Sequence, residues 1–122
     1  MKMYKTEDYL NMANPTPGDS YRPEILTEEH KAKNLGGMFG LLPPGTQVPY
    51  HYHEERESVI FVISGEGIEV VEGEEIPVKE GDVFYIQPME KHMIINKSDD
   101  KDLRYLEFYT CPPVTADFHE VK

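Results

Sequence analysis

The chain has a single cysteine, Cys111, and no tryptophan. One thiol excludes an internal disulfide and a thiolate-built zinc site. Basic residues are also scarce: 12 Lys and Arg stand against 23 Asp and Glu, a net charge of −11. Nucleic-acid binding rests on neutralising phosphates with Lys and Arg, so this balance argues against a nucleic-acid partner. It disfavours an anionic membrane surface for the same reason. No apolar run approaches the ~18 residues of a membrane-spanning helix. The first residues, Met1-Lys2-Met3-Tyr4-Lys5-Thr6-Glu7-Asp8, contain no apolar stretch of the secretory type. The expected location is the cytoplasm.

What is present describes one small domain. A chain of 122 residues buries roughly 65% of its unfolded surface, enough for one core. Ten prolines and nine glycines punctuate short apolar runs. Residues 1–34 are polar and turn-rich, with a short helix expected at 6–12 capped by Thr6 and a helical turn at 27–30. This arm is expected to lie on the barrel or on a partner subunit. From residue 35 the pattern becomes β: strands are expected at 35–42, 58–64, 68–71, 76–78, 83–87, 92–96 and 103–109. Glu72-Gly73-Glu74-Glu75 makes the middle pair a hairpin. Eight or more short strands with almost no helical period predict an all-β antiparallel sandwich or barrel over 35–111, followed by a tail at 112–122.

Three histidines are placed to do chemistry. His51 and His53 are two apart on an expected strand, so they share a face roughly 7 Å apart along the chain. Glu57 opens the next strand, and His92 follows a turn far downstream. Three imidazoles and a carboxylate suit Fe(II), Mn(II), Ni(II), Zn(II) or Cu(II) better than Mg or Ca. Glu66, Glu69, Glu72, Glu74, Glu75, Glu80 and Asp82 lack calcium-loop spacing and read as a solvated hairpin face. His30 and His119, in arm and tail, read as surface residues. Cys111, with no histidine close in sequence, is not read as a nucleophile.

The run Gly45-x5-His51-x-His53-x3-Glu57-x7-Gly65 resembles the first cupin motif, and Gly81-x6-Pro88 with His92-x3-Asn96 is similar to the second. The resemblance implies a double-stranded β-helix (jelly-roll) barrel, a homodimer, and one divalent transition metal ion per chain held by His51, His53, Glu57 and His92. Two features depart from the motif. The gap from Glu57 to Gly65 is one residue longer than usual, so counting back from Gly65 puts Ser58 at the ligand position, while counting forward from His53 puts Glu57 there. Serine is a poor ligand, which favours Glu57 with a bulge absorbing the extra residue. In the second motif, Gln87 and Met89 stand where proline and glycine are usual.

Strand parity and turn position suggest a mainly apolar pocket lined by Gln47, Phe61, Tyr85, Met89, Asn96 and Tyr105. Arg22 and Arg104 read as surface salt-bridge partners. The expected function is metal-dependent chemistry on a small organic molecule; the resemblance allows dioxygenase, isomerase, decarboxylase or lyase activity. The alternative is a non-catalytic small-molecule binding or sensor module. A metal-free sugar epimerase ranks last, because it needs a His–Asp pair and the aspartates fall in turns and loops.

Overall fold

The computed structural model describes residues 1–27 and 32–122. The helical turn expected at 27–30 falls largely outside them, as does His30. Among the described residues there are ten strands and one short helix, α1 (Thr6–Leu10). The strands are β1 (Glu24–Ile25), β2 (Gly36–Leu42), β3 (His51–Tyr52), β4 (Ser58–Ser64), β5 (Glu66–Val71), β6 (Glu74–Lys79), β7 (Val83–Ile86), β8 (His92–Ile95), β9 (Leu103–Tyr109) and β10 (His119–Glu120). They pair antiparallel in two five-stranded sheets. One runs β1-β2-β9-β4-β7 and the other β10-β3-β8-β5-β6. This is the expected double-stranded β-helix.

Burial alternates along the central strands β4 and β9, and the inner set makes the core. Ser58, Ile60 and Val62 of β4 point inward, whereas Val59 and Phe61 are exposed. Met38, Leu42, Ile94, Leu103 and Tyr105 complete much of the core. Gly40 makes room for one of these. It stands opposite Tyr105, and a Cβ there would lie 2.2 Å from the Tyr105 ring. The ring therefore lies over the glycine and reaches the barrel interior.

Both ends of the chain are tied to the barrel. Tyr9 of α1 stacks on Phe39 at 3.7 Å, and Arg104 donates to the carbonyls of Tyr9 and Met12. Lys5, not Thr6, occupies the position before α1 and supplies no side-chain cap. At the other end, Arg56 donates to the carbonyls of Thr110, Cys111, Pro113, Val114 and Ala116. β10 then adds to β3 at the edge of the second sheet. The tail expected at 112–122 thus closes one end of the barrel.

Candidate metal centre

His51 and His92 stand opposite each other on β3 and β8, both buried, and His53 follows one residue beyond β3 on the same face. One ring nitrogen from each lies within 4.8 Å of the other two. This is the part of the expected ligand set that the structure brings together.

Each imidazole is already anchored through Nδ1. His51 Nδ1 lies 2.6 Å from the Pro49 carbonyl and His53 Nδ1 2.5 Å from the Asp117 carbonyl. A carbonyl only accepts, so both nitrogens donate, and in the neutral ring Nε2 keeps its lone pair. His92 Nδ1 lies 2.7 Å from Glu69 Oε1, and His92 Nε2 is buried with no hydrogen-bond partner. Burial, then the neighbouring His92, lowers the His51 pKa to about 3. Burial likewise lowers His53 to about 4, and lowers His92. The cluster is neutral at pH 7. Neutral imidazoles with Nδ1 held by an acceptor and Nε2 free are the form that ligates a metal ion.

Glu57 does not join them. It lies on the outer face and accepts a hydrogen bond from the Tyr85 hydroxyl at 2.7 Å. Ser58 is the inward residue, and its hydroxyl is buried without a partner. β4 does carry a register shift, between Val62 and Ser64, but it does not turn Glu57 inward: Glu57 stays in the turn before the strand. Asp117 shapes that turn by accepting the amides of Glu54, Glu55 and Arg56. β4 therefore begins with Ser58 facing the core.

The cavity beside the cluster has a volume of about 30 Å³, room for an ion and one or two waters. Its wall corrects most of the expected lining. Tyr105 is there, whereas Gln47, Phe61, Tyr85 and Met89 face outward. Asn96 is buried elsewhere, donating to the carbonyls of Leu42 and Lys101. Phe118 of the tail stacks on His51 at 4.3 Å and covers the centre. Arg22 lines the cavity instead of lying at the surface, while Arg104 does approach Asp102, at 3.7 Å.

Two carboxyl residues stand in this wall: Glu107, which no motif marks, and Glu69, which is buried instead of lying on the solvated hairpin face. Burial raises the Glu69 pKa to about 9 and also raises that of Glu107. The signal was strand parity. Glu69 lies two residues from Gly67 and Val71, and Glu107 two from Tyr105 and Tyr109, all on inward positions. A second group, Glu54, Asp117 and His119, lies outside the barrel. Its central carboxylate is engaged by three backbone amides and His119.

Residues 38–109 match the family described as Cupin domain. The chain is 37% identical over 92 residues to an oxalate-binding protein of Thermotoga maritima, covering 73% of this chain and 74% of that protein. A crystal structure of a double-stranded β-helix domain protein from Klebsiella pneumoniae superposes with a TM-score of 0.79 at 20% identity, covering 100% of this chain and 98% of that one. A structure titled a predicted oxalate decarboxylase, also from Thermotoga maritima, superposes with a TM-score of 0.58 at 32% identity, over 62% of this chain and 65% of that one.

Proposed function

This chain belongs to the cupin domain family, and we propose that it holds one divalent transition metal ion at His51, His53 and His92 and acts there on a small organic anion. One observation carries this reading: three buried imidazoles each bring a ring nitrogen within 4.8 Å of the other two while every Nδ1 is already engaged. An all-nitrogen set of this kind suits Fe, Mn, Ni, Zn or Cu. Bound there, such an ion supplies Lewis-acid or redox chemistry at its open positions.

The protein's own residues do the rest. Pro49, Asp117 and Glu69 fix the ring orientations. Phe118 shields the cluster, and Arg56 holds the tail that carries Phe118. The ligand class follows from charge and size. With Ser58 in place of a ligand carboxylate, a dication keeps its full charge and favours an anion. A cavity of about 30 Å³ holds an ion and one or two waters, so even a small carboxylate enters only as the tail that carries Phe118 moves. The names of the Thermotoga maritima relatives, oxalate-binding protein and predicted oxalate decarboxylase, support a small carboxylate. Whether the anion is turned over or only bound separates the enzymatic reading from the alternative of a binding or sensor module. The name of the first relative favours binding, so oxalate consumption and oxalate affinity belong in the same assay.

A homodimer is part of the proposal. Phe108, Val59 and Tyr85 form one outer row across β9, β4 and β7, beside Leu106, Phe61 and Val83. All but Leu106 are exposed, and a contiguous apolar face of this kind fits a second copy. Phe61→Glu is expected to give a monomer by light scattering. The cytoplasmic assignment is supported by the lone cysteine; no helix of the described residues is long and apolar enough to cross a membrane.

Metal analysis of untagged wild type and His92→Ala tests the core of the proposal. About one equivalent in the wild type and none in the variant is expected. No uptake by the wild type of any of the five ions contradicts it.

A further inference from the structure

Of the residues that line the cavity beside the three histidines, all but Arg22, Val114 and Phe118 are buried. These three are half-buried and reach the surface, so whatever enters passes between them. The closed cavity, about 30 Å³, is filled by an ion and one or two waters. Any larger ligand requires one of the three to move.

Two of them start from a fixed backbone. On one side of Arg22, Tyr21 exchanges amide–carbonyl bonds with Leu41 at 2.9 and 2.8 Å; on the other, the Pro23 carbonyl accepts the Phe39 amide at 3.0 Å. Val114 belongs to the stretch clamped by Arg56, and its own amide donates to Glu24.

Phe118 is held differently. The clamp ends at Asp117, whose carboxylate accepts three amides and whose carbonyl accepts His53 Nδ1–H. Beyond it the chain is tied by the two-residue strand β10 at the edge of its sheet, and by the Val121 amide on the Tyr50 carbonyl at 2.8 Å. Phe118 stacks on His51 and His119 on Tyr52, and His119 also meets the Asp117 carboxylate at 3.1 Å. A short edge strand opens at a fraction of the free energy that holds central strands. Firm and weak hold therefore meet at one peptide. Torsion of the Phe118 backbone lifts β10 from β3 and the ring from His51. The groups that hold the three Nδ1 atoms, on Pro49, Asp117 and Glu69, all lie outside the moving segment.

We propose that Phe118–Val121 is a flap over the metal centre, which opens at the Asp117–Phe118 junction to admit the ligand and leaves the three imidazoles in place. The proposal rests on the metal-binding reading above and names the moving part that so small a cavity requires.

Two measurements test it. Amide hydrogen exchange, followed by NMR on the metal-free protein, asks whether the flap is a separate unit. The Val121 amide is expected to be protected about tenfold or more weakly than the Glu55 and Arg56 amides that Asp117 holds. Equal or stronger protection of Val121 overturns the proposal.

Release of bound metal into excess EDTA asks whether the flap is the way in. Wild type is compared with Phe118→Ala and with the double variant Tyr52→Cys, His119→Cys. Those two positions are cross-strand partners, so the pair can be oxidised to a lock and reduced again. Cys111→Ser in the same protein leaves one pairing possible. Oxidation is expected to slow release about tenfold or more, reduction to restore it, and Phe118→Ala to speed it about tenfold. Equal release from the oxidised and reduced forms puts the path past Arg22 and overturns the proposal. So does a wild-type rate in Phe118→Ala. Each of these outcomes leaves the metal reading standing, whereas wild type that takes up no metal overturns both.

Discussion

Asp117 holds His53 by its backbone and shapes the turn beside it by its side chain. Its carbonyl accepts His53 Nδ1–H at 2.5 Å, while its carboxylate accepts the amides of Glu54, Glu55 and Arg56 at 2.8–2.9 Å. A residue from the tail thereby orients a histidine of the cluster and fixes the turn that leads into β4.

That role has a pH signature. Burial raises the Asp117 pKa, but the three amides and His119 outweigh it and hold the carboxyl at about 2. A group with a depressed folded pKa stabilises the fold above its unfolded value and loses that contribution as pH falls through the folded one. Wild type is expected to exceed Asp117→Asn by about 1–2 kcal/mol near pH 6, after allowance for solvent screening. The difference is expected to shrink below about pH 4. Urea denaturation of both proteins between pH 6 and 3 checks this, and a constant difference would contradict it.

Arg56 is the second hold on the tail. Its guanidinium satisfies five carbonyls and lies 4.5 Å from the Tyr109 ring centroid. Arg56→Met keeps much of the apolar stem but strands those carbonyls. A loss of about 3 kcal/mol or more is expected in denaturant unfolding. A loss below about 1 kcal/mol would show that the tail holds itself.

Glu69 orients His92 without belonging to the ligand set. Glu69→Leu, which removes the partner of His92 Nδ1, is expected to bind the metal about 10- to 100-fold more weakly in chelator competition. Unchanged affinity would mean that packing alone orients the ring.

Met89 has a φ of +71°, at the position where the cupin motif usually has glycine. Its side chain is exposed, and its amide donates to the His53 carbonyl at 2.7 Å. Met89→Gly relieves the left-handed strain and loses little packing. The expected gain is about 0.5–1 kcal/mol, read as a higher melting temperature with unchanged metal content.

The barrel was legible because β4 is a short run of β-branched and aromatic residues and β9 alternates inward Leu, Tyr and Glu with Arg, Leu and Phe. His51, His53 and His92 were legible because i, i+2 spacing puts a pair on one face and the second motif supplies the third. The choice between Glu57 and Ser58 was not. It depends on Asp117 and Arg56, whose bonds span more than fifty residues of sequence. Glu69 and Glu107 were missed for another reason. Glu69 sits in a run of acids that resembles a solvated hairpin face, although strand parity sets both residues among inward positions.

The central claim is a metal centre of three imidazoles in which Glu57 takes no part. Metal content after dialysis of wild type, His51→Ala and Glu57→Gln tests it most directly. The account expects about one equivalent in wild type and in Glu57→Gln, and none in His51→Ala. Loss of metal in Glu57→Gln, or its retention in His51→Ala, would contradict it.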